Sequence, residues 1–446
     1  MRTFSFVLML CLGTCFFTKN VPAQTLPVWA ENANIYEVNI RQYTPEGTFK
    51  AFQQHLPRLK AMGVDILWLM PIHPIGVEKR KGSLGSYYSV KDYRAVNPEY
   101  GDMKDFRELV NAAHNLGMYV IIDWVANHTS WDNALLKEHP KWYTRDKKGN
   151  IKSPVDDWHD VADLNYDEKD LWKYMQESFQ FWVDEARIDG FRCDVAEWVP
   201  LKFWEKTIPA INKTRPLFWL AEAENPELHP YFNMTYAWNL HHLMNDIAKG
   251  NKNVYDLDTY FEKENKDFKK SNLRMQFITN HDENSWNGTE FERMGDAWRA
   301  MAAFSFVVPG MPLLYNGQEV GLDKRLAFFD KDVIDWNLNQ FVSFYDKLLA
   351  LKKRNRTLLN GENGGDMEIL KTTSGASVFA FARETKSEHL VAIFNFSAVQ
   401  RKFTVDFNKY KGNYTNALSG EHATYNSNAS FELAPWDFVI LEQNCD

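Results

Sequence analysis

The chain has 446 residues, 45% hydrophobic, 25% charged and 15% aromatic, with a formal net charge of −8. This composition fits a globular protein with material for a large core. The mild acidic excess and the lack of a Lys/Arg run argue against nucleic acid and anionic membrane surfaces as partners, both of which call for a basic face. The aromatic share is high, with Trp 16, Tyr 19 and Phe 31. Rings beyond the needs of a core suit flat, polyhydroxylated ligands that bind by stacking.

Residues 1–24 read as a signal peptide. Arg2 gives a positive start, an apolar run follows over 4–17, and Val21-Pro22-Ala23 offers small residues for cleavage. The run is shorter than the roughly 18–20 apolar residues of a membrane-spanning helix, so export to the periplasm or medium is expected, without membrane insertion. Leu12-Gly13-Thr14-Cys15 has the outline of a lipoprotein box, but Thr14 fits it poorly, and lipid anchoring at Cys15 is not expected. Cleavage would leave Cys193 and Cys445, too few and too differently placed for a disulfide framework.

From residue 30 onward, short apolar strands alternate with amphipathic helices. Strands are expected over 35–40, 65–70, 119–125, 190–195, 218–223, 234–238, 275–279 and 312–315. Helical spacing separates them, as in Phe49, Phe52, Leu56, Leu59 and Met62, then Phe106, Leu109, Val110, Ala113 and Leu116. Strands that are apolar on both faces indicate a parallel sheet covered by helices, and eight such units fit a closed (β/α)8 TIM barrel. A doubly wound sheet would show a Gly-rich loop after its first strand, and none is present. A long polar excursion at 129–168 follows the third strand. After residue 362 the pattern alternates, as in 377–382 and 390–396, which predicts an antiparallel β-sandwich. The expected division is a leader at 1–24, a catalytic barrel at 25–362 that includes the 129–168 insertion, and a C-terminal β domain at 363–446.

Polar residues at the C-terminal ends of barrel strands converge on one mouth. Here those ends carry Asp123, Asn127 and His128, then Arg192 and Asp194, then Glu222 and Glu224, then His281 and Asp282. Each interrupts an apolar strand, where an unpaired charge is costly. No His-x-x-x-His or His-x-His spacing points to a catalytic transition metal, and no Gly-x-Ser-x-Gly elbow to a serine nucleophile. Several carboxylates with stacking rings suit glycosidic bond cleavage, in which one acid protonates the leaving oxygen and another attacks the sugar. A neighbouring arginine is expected to lower the pKa of the nucleophile, and crowding to raise that of the proton donor.

On these residues the sequence resembles the alpha-amylase family of retaining α-glucan hydrolases. Asp123 to His128, Gly190-Phe-Arg192-Cys-Asp194, Ala221-Glu222 and Asn280-His281-Asp282 match four of its blocks. Val161-Ala-Asp163-Leu-Asn165 resembles the motif that closes its inserted B domain, and Gly310 to Glu319 its eighth-strand block. The resemblance implies Asp194 as nucleophile, Glu222 as acid and base, and Asp282 as transition-state stabiliser. It also implies that Arg192 pairs with Asp194, that His128 and His281 bond the sugar, and that Tyr88 stacks on it. Glu224 shares a strand face with Glu222, but the motif points to Glu222.

Two departures stand out. Ser86-Tyr87 replace the His-Gly common before the stacking tyrosine. Glu197-Trp198 replace a Lys-His pair, so Trp198 becomes a candidate stacking residue on the leaving-group side. Asn127 and Asp163 match calcium-binding positions of many members, which implies a candidate calcium site; the chemistry itself needs no cofactor. The expected activity is exported hydrolysis of α-1,4-glucosidic bonds in starch or maltooligosaccharides by double displacement. The alternatives are glucan transglycosylation and α-glucosidase, neopullulanase or cyclomaltodextrinase activity on the same fold.

Overall fold

A computed structural model describes residues 24–443. The signal-peptide and lipid-anchor readings therefore fall, but for Gln24, outside the described residues, as does Cys445. Among the described residues, no helix is long and apolar enough to cross a membrane.

Eight parallel strands close into a barrel. In chain order they are β1 (Ile35–Val38), β2 (Ile66–Leu69) and β3 (Tyr119–Trp124), then, after the hairpin β4 (His128–Ser130) and β5 (Val161–Asp163), β6 (Gly190–Cys193), β7 (Phe218–Ala221), β8 (Met234–Tyr236), β9 (Leu273–Gln276) and β10 (Met311–Tyr315). Pairing of β1 with both β2 and β10 completes the ring. The fold is thus the TIM barrel that the alternating pattern predicts. Closure pairs every barrel strand on both sides and so leaves no open edge, and inward Trp68, Phe218, Leu220 and Met275 fill the interior as a separate core.

Local sequence signals set the element ends. Helix Leu56–Met62 stops at Gly63, whose φ of 103° is the left-handed cap that favours glycine. Helix Met103–Asn115 starts at a capping box between Asp102 and Asp105. Gly190 is needed for a different reason: a Cβ there would stand 2.0 Å from the Phe218 carbonyl oxygen, so only glycine lets β6 approach β7. β9 begins at Leu273, earlier than the apolar pattern indicates, because its Arg274 is buried in ion pairs with Glu224 and Glu264.

The hairpin of β4 and β5 ties off the excursion, with His128 opposite Asp163. The C-terminal region has a six-stranded antiparallel sheet of β11 (Asp366–Ile369), β12 (Val378–Glu384), β13 (His389–Asn395), β15 (Gly412–Asn416), β16 (His422–Tyr425) and β18 (Phe438–Gln443). A second, two-stranded sheet pairs β14 (Arg401–Asp406) with β17 (Asn428–Leu433). One face of the large sheet packs on the small one through Val391, Ile393, Phe403 and Val405. The other places Phe379, Phe381, Phe394 and Phe396 around Phe304 of the barrel helix Trp298–Val307, at centroid distances of 5.3–6.0 Å. Alternation along β12 and β13 therefore serves two apolar layers.

Candidate active site

Strand register assembles the site around one guanidinium. Arg192 on β6 lies opposite Asp123 on β3, and Cys193 opposite Ala221 on β7, so Asp194 and Glu222 leave adjacent strands at the same height. The fully buried Arg192 donates from Nη1 to Asp123 Oδ1 at 2.8 Å and to Asp194 Oδ1 at 3.0 Å. Its Nη2 lies 2.8 Å from Glu222 Oε2, and its Nε donates to the Tyr236 hydroxyl at 3.1 Å. Asp194 and Glu222 are thus neighbours on one guanidinium, which is the adjacency a retaining pair of carboxyls needs. Glu222 Oε2 also accepts from the Val195 backbone N–H at 2.8 Å. Val195 has φ 35°, a left-handed conformation that strains a β-branched residue by roughly 1–3 kcal/mol and is typical of functional turns.

A second group sits across the mouth. His281 Nδ1 lies 2.5 Å from Glu37 Oε1, and its Nε2 is 3.2 Å from Asp282 Oδ2 and 2.7 Å from the Tyr88 hydroxyl. Tyr88 donates to Asp123 Oδ2 at 3.0 Å, which links the two groups, and its ring lies nearly parallel to His281 and Phe328. Glu37 was absent from the sequence candidates, although a lone charge in the strand Ile-Tyr-Glu-Val was a usable signal. Tyr236 and Trp68, which bond Arg192 and Asp123, were also missed, since apolar-looking rings in strands carry no such signal.

The electrostatics follow from burial. Desolvation alone would lower His281, but Asp282 and Glu37 outweigh it and hold the imidazole protonated well above its usual range. Burial would raise Asp282, yet the His281 charge holds that carboxyl below its ordinary value. Asp194 goes the other way: burial, then the nearby Glu222 charge, push it up by more than Arg192 pulls it down. The expected depression of the nucleophile by arginine is therefore corrected, because Arg192 is shared with Asp123 and Glu222. Burial likewise raises Asp123. Burial pulls His128 down to about 4, so it meets ligand as a neutral ring.

Asp194, Glu222, Asp282, Tyr88, His128 and His281 all line one cavity of about 640 Å³, with Trp158, Trp286, Phe328 and Phe329 on its walls. Arg192 lies beneath it. Trp198 stands outside, in an adjoining open depression of about 410 Å³ that shares Val195 and Glu222 with the cavity. It is 46% exposed and stacks on Trp158 with ring centroids 5.4 Å apart. Glu224 turns away from the cavity into an ion pair with Arg274 and accepts from the Asn239 N–H at 2.8 Å. Burial pushes its carboxyl up to about 7.

Asn127 and Asp163 lie at the base of the hairpin, outside the cavity. Asp163 Oδ2 accepts from the Thr144 hydroxyl at 2.5 Å, and Asn127 Nδ2 lies 3.3 Å from His128 Nδ1. By itself the pair supplies one carboxylate and one amide of the roughly six to eight oxygens that calcium takes. Among the described residues, no group of three or more His, Cys, Asp and Glu side chains is arranged to hold a metal.

A TIM barrel whose mouth gathers acids on one arginine, beside stacking rings, is the framework of a glycoside hydrolase. The family comparisons agree. The model of the alpha amylase catalytic domain matches residues 27–161 and 155–249, and that of the alpha amylase C-terminal all-beta domain matches 371–437. The chain belongs to the alpha-amylase family. It is similar to the crystal structure of a maltogenic alpha-amylase from Thermotoga neapolitana, at 30% identity and TM-score 0.86, covering 94% of this chain and 100% of that one. It is also similar to an alpha-amylase structure from Lactobacillus plantarum, at 30% identity and TM-score 0.84, covering 93% and 100%. The alpha-amylase MalA of Haloarcula japonica is 26% identical over 83% of this chain, which spans 56% of that relative's length.

Proposed function

We propose that the protein hydrolyses α-1,4-glucosidic bonds of maltooligosaccharides or starch with retention of configuration. The observation that carries this reading is the joint hold of Arg192 on Asp194 and Glu222. Asp194, with Oδ1 held by Arg192, attacks the anomeric carbon through its other oxygen as the C1–O bond breaks. The departing oxygen takes a proton from Glu222. Water then gives a proton to Glu222 and its oxygen to C1, which releases Asp194 and leaves the α anomer. The cluster holds five carboxyls, of Glu37, Asp123, Asp194, Glu222 and Asp282, against the charges of Arg192 and His281. An excess of buried carboxyls favours retention of a proton, which the first step consumes. Asp282, kept ionised by His281, and the neutral His128 are placed to bond sugar hydroxyls. Similarity to a maltogenic alpha-amylase supports an α-glucan substrate, and the leader-like sequence pattern at 1–24 supports export.

Proton NMR of maltoheptaose digestion should show the α anomer of the new reducing end first, with the β anomer growing only by mutarotation. Initial release of the β anomer would rule the double displacement out. The chemistry proposed here uses no ion, so EDTA should leave kcat and Tm unchanged. A fall in both that calcium restores would show that the protein holds a structural ion.

A further inference from the structure

The cavity adjoins the open depression with Trp198 at Val195 and Glu222, and its lining also reaches Lys81. In the mechanism above the leaving oxygen lies at Glu222, which borders the open depression with Trp198 and so offers room for sugars on the reducing side. Beyond Tyr88 the lining continues through Phe328, whose ring lies nearly parallel at 6.2 Å, to Phe329 and then to Lys81, whose Nζ is 5.7 Å from the Phe329 ring centre. That direction is walled. Lys81, on the loop after β2, reaches across to the inserted region: its Nζ donates to the Asp157 carbonyl at 2.6 Å and lies 3.5 Å from Asp160 Oδ1. The same loop is pinned on its other flank. Leu84 and Gly85 N–H groups donate to the Phe329 carbonyl at 3.0 and 3.1 Å, and Ser83 N and Oγ bond Asp330 Oδ1 at 2.7 and 2.6 Å. Gly82, at φ 62°, lets the loop press on Phe329, where a Cβ would come within 2.5 Å.

We propose that sugars on the non-reducing side of the cut run along Tyr88, Phe328 and Phe329 and that the Lys81 bridge closes that end of the cleft, so that the enzyme acts from chain ends and releases one short product rather than cutting internally. This rests on the α-glucan hydrolase reading above and adds to it the direction of attack and the residue that imposes it. Three segments far apart in sequence meet at the wall, each tied to the next by two or more polar contacts. A chain continuing beyond it would have to break both Lys81 contacts.

The test uses maltoheptaose and the same sugar capped at its non-reducing end by a cyclic acetal, with products resolved by chromatography. The wild-type enzyme should cleave the capped sugar at least ~100-fold more slowly than the free one, since the cap meets the wall. Early products of the free sugar should contain one dominant short oligosaccharide. Lys81→Ala should raise relative cleavage of the capped sugar at least ~10-fold and broaden the products, and Lys81→Arg, which keeps a bridging cation, should restore discrimination. Equal cleavage of both sugars by the wild type overturns the wall and leaves the hydrolase reading standing. Discrimination that persists in Lys81→Ala overturns the role of Lys81. Cleavage of neither sugar by the wild type overturns the α-glucan reading and this inference with it.

Discussion

Asp194→Asn is expected to lower kcat on maltoheptaose by at least ~10³-fold, because the amide cannot form the glycosyl ester through which both displacements pass. The fold should survive, since an amide oxygen can still accept from Arg192 Nη1, now 3.0 Å from Asp194. Glu222→Gln should lose roughly 10²–10⁴-fold on the same sugar, as general acid–base catalysis supplies that much. On an aryl maltoside with an acidic phenol, it should lose less in the first step, because that leaving group needs no proton. The second step still needs a base, so mass spectrometry should find a glycosyl adduct on Asp194. Glu224→Gln serves as control. Its carboxyl is committed to Arg274 and Asn239 at the edge of the Trp198 depression rather than in the cavity, so KM is free to change while kcat should stay within about tenfold of wild type. A larger loss at Glu224 than at Glu222 would reverse the assignment within this strand.

Arg192→Leu should cost stability as well as activity. The guanidinium is fully buried and touches Asp123, Asp194 and Glu222. Removing one partner of a buried ion pair typically costs about 3–5 kcal/mol, and here three carboxyls lose theirs. Urea unfolding should show a loss of at least that size. Arg192→Lys should not rescue it, since a point charge cannot span three carboxylates in one plane. The loss should also depend on pH. Asp123 and Asp194 already lie above their unfolded values because of burial, and without Arg192 they rise further. A carboxyl raised in the folded state is penalised above its unfolded value of about 4 and increasingly so as pH climbs toward its folded value. The deficit against wild type should therefore be smaller at pH 5 than at pH 8. A variant of wild-type stability at pH 8 would show that Arg192 does not hold the acids together.

Local pattern determined much of this protein. Apolar strands between amphipathic helices specify a barrel, because a strand with no polar face has to be covered on both sides. Alternation after residue 362 specifies antiparallel sheets. The lone acids and histidines at strand ends identify Asp194, Glu222, His281 and Asp282 as residues of one rim, since a charge in an apolar strand needs a shared reason to be there. The start of β9 was hidden because Arg274 breaks the apolar pattern, and its partners Glu224 and Glu264 come from other elements.

Tertiary structure decided what pattern could not reach. Glu222 and Glu224 have the same alternation and chemistry; the motif resemblance favours Glu222, and the physical reason appears only in the placement of Arg192 on one side and Arg274 on the other. Glu37 shows as a lone charge in its strand, but its partner His281 lies 244 positions away and only the fold joins them; the Lys81 wall is likewise made by segments from three parts of the chain. The upward shift of Asp194 depends on how many acids share one guanidinium and how little water reaches them. Electrostatic energies depend on distance and burial in space, and sequence spacing carries neither once strands from opposite ends of the chain meet at one mouth.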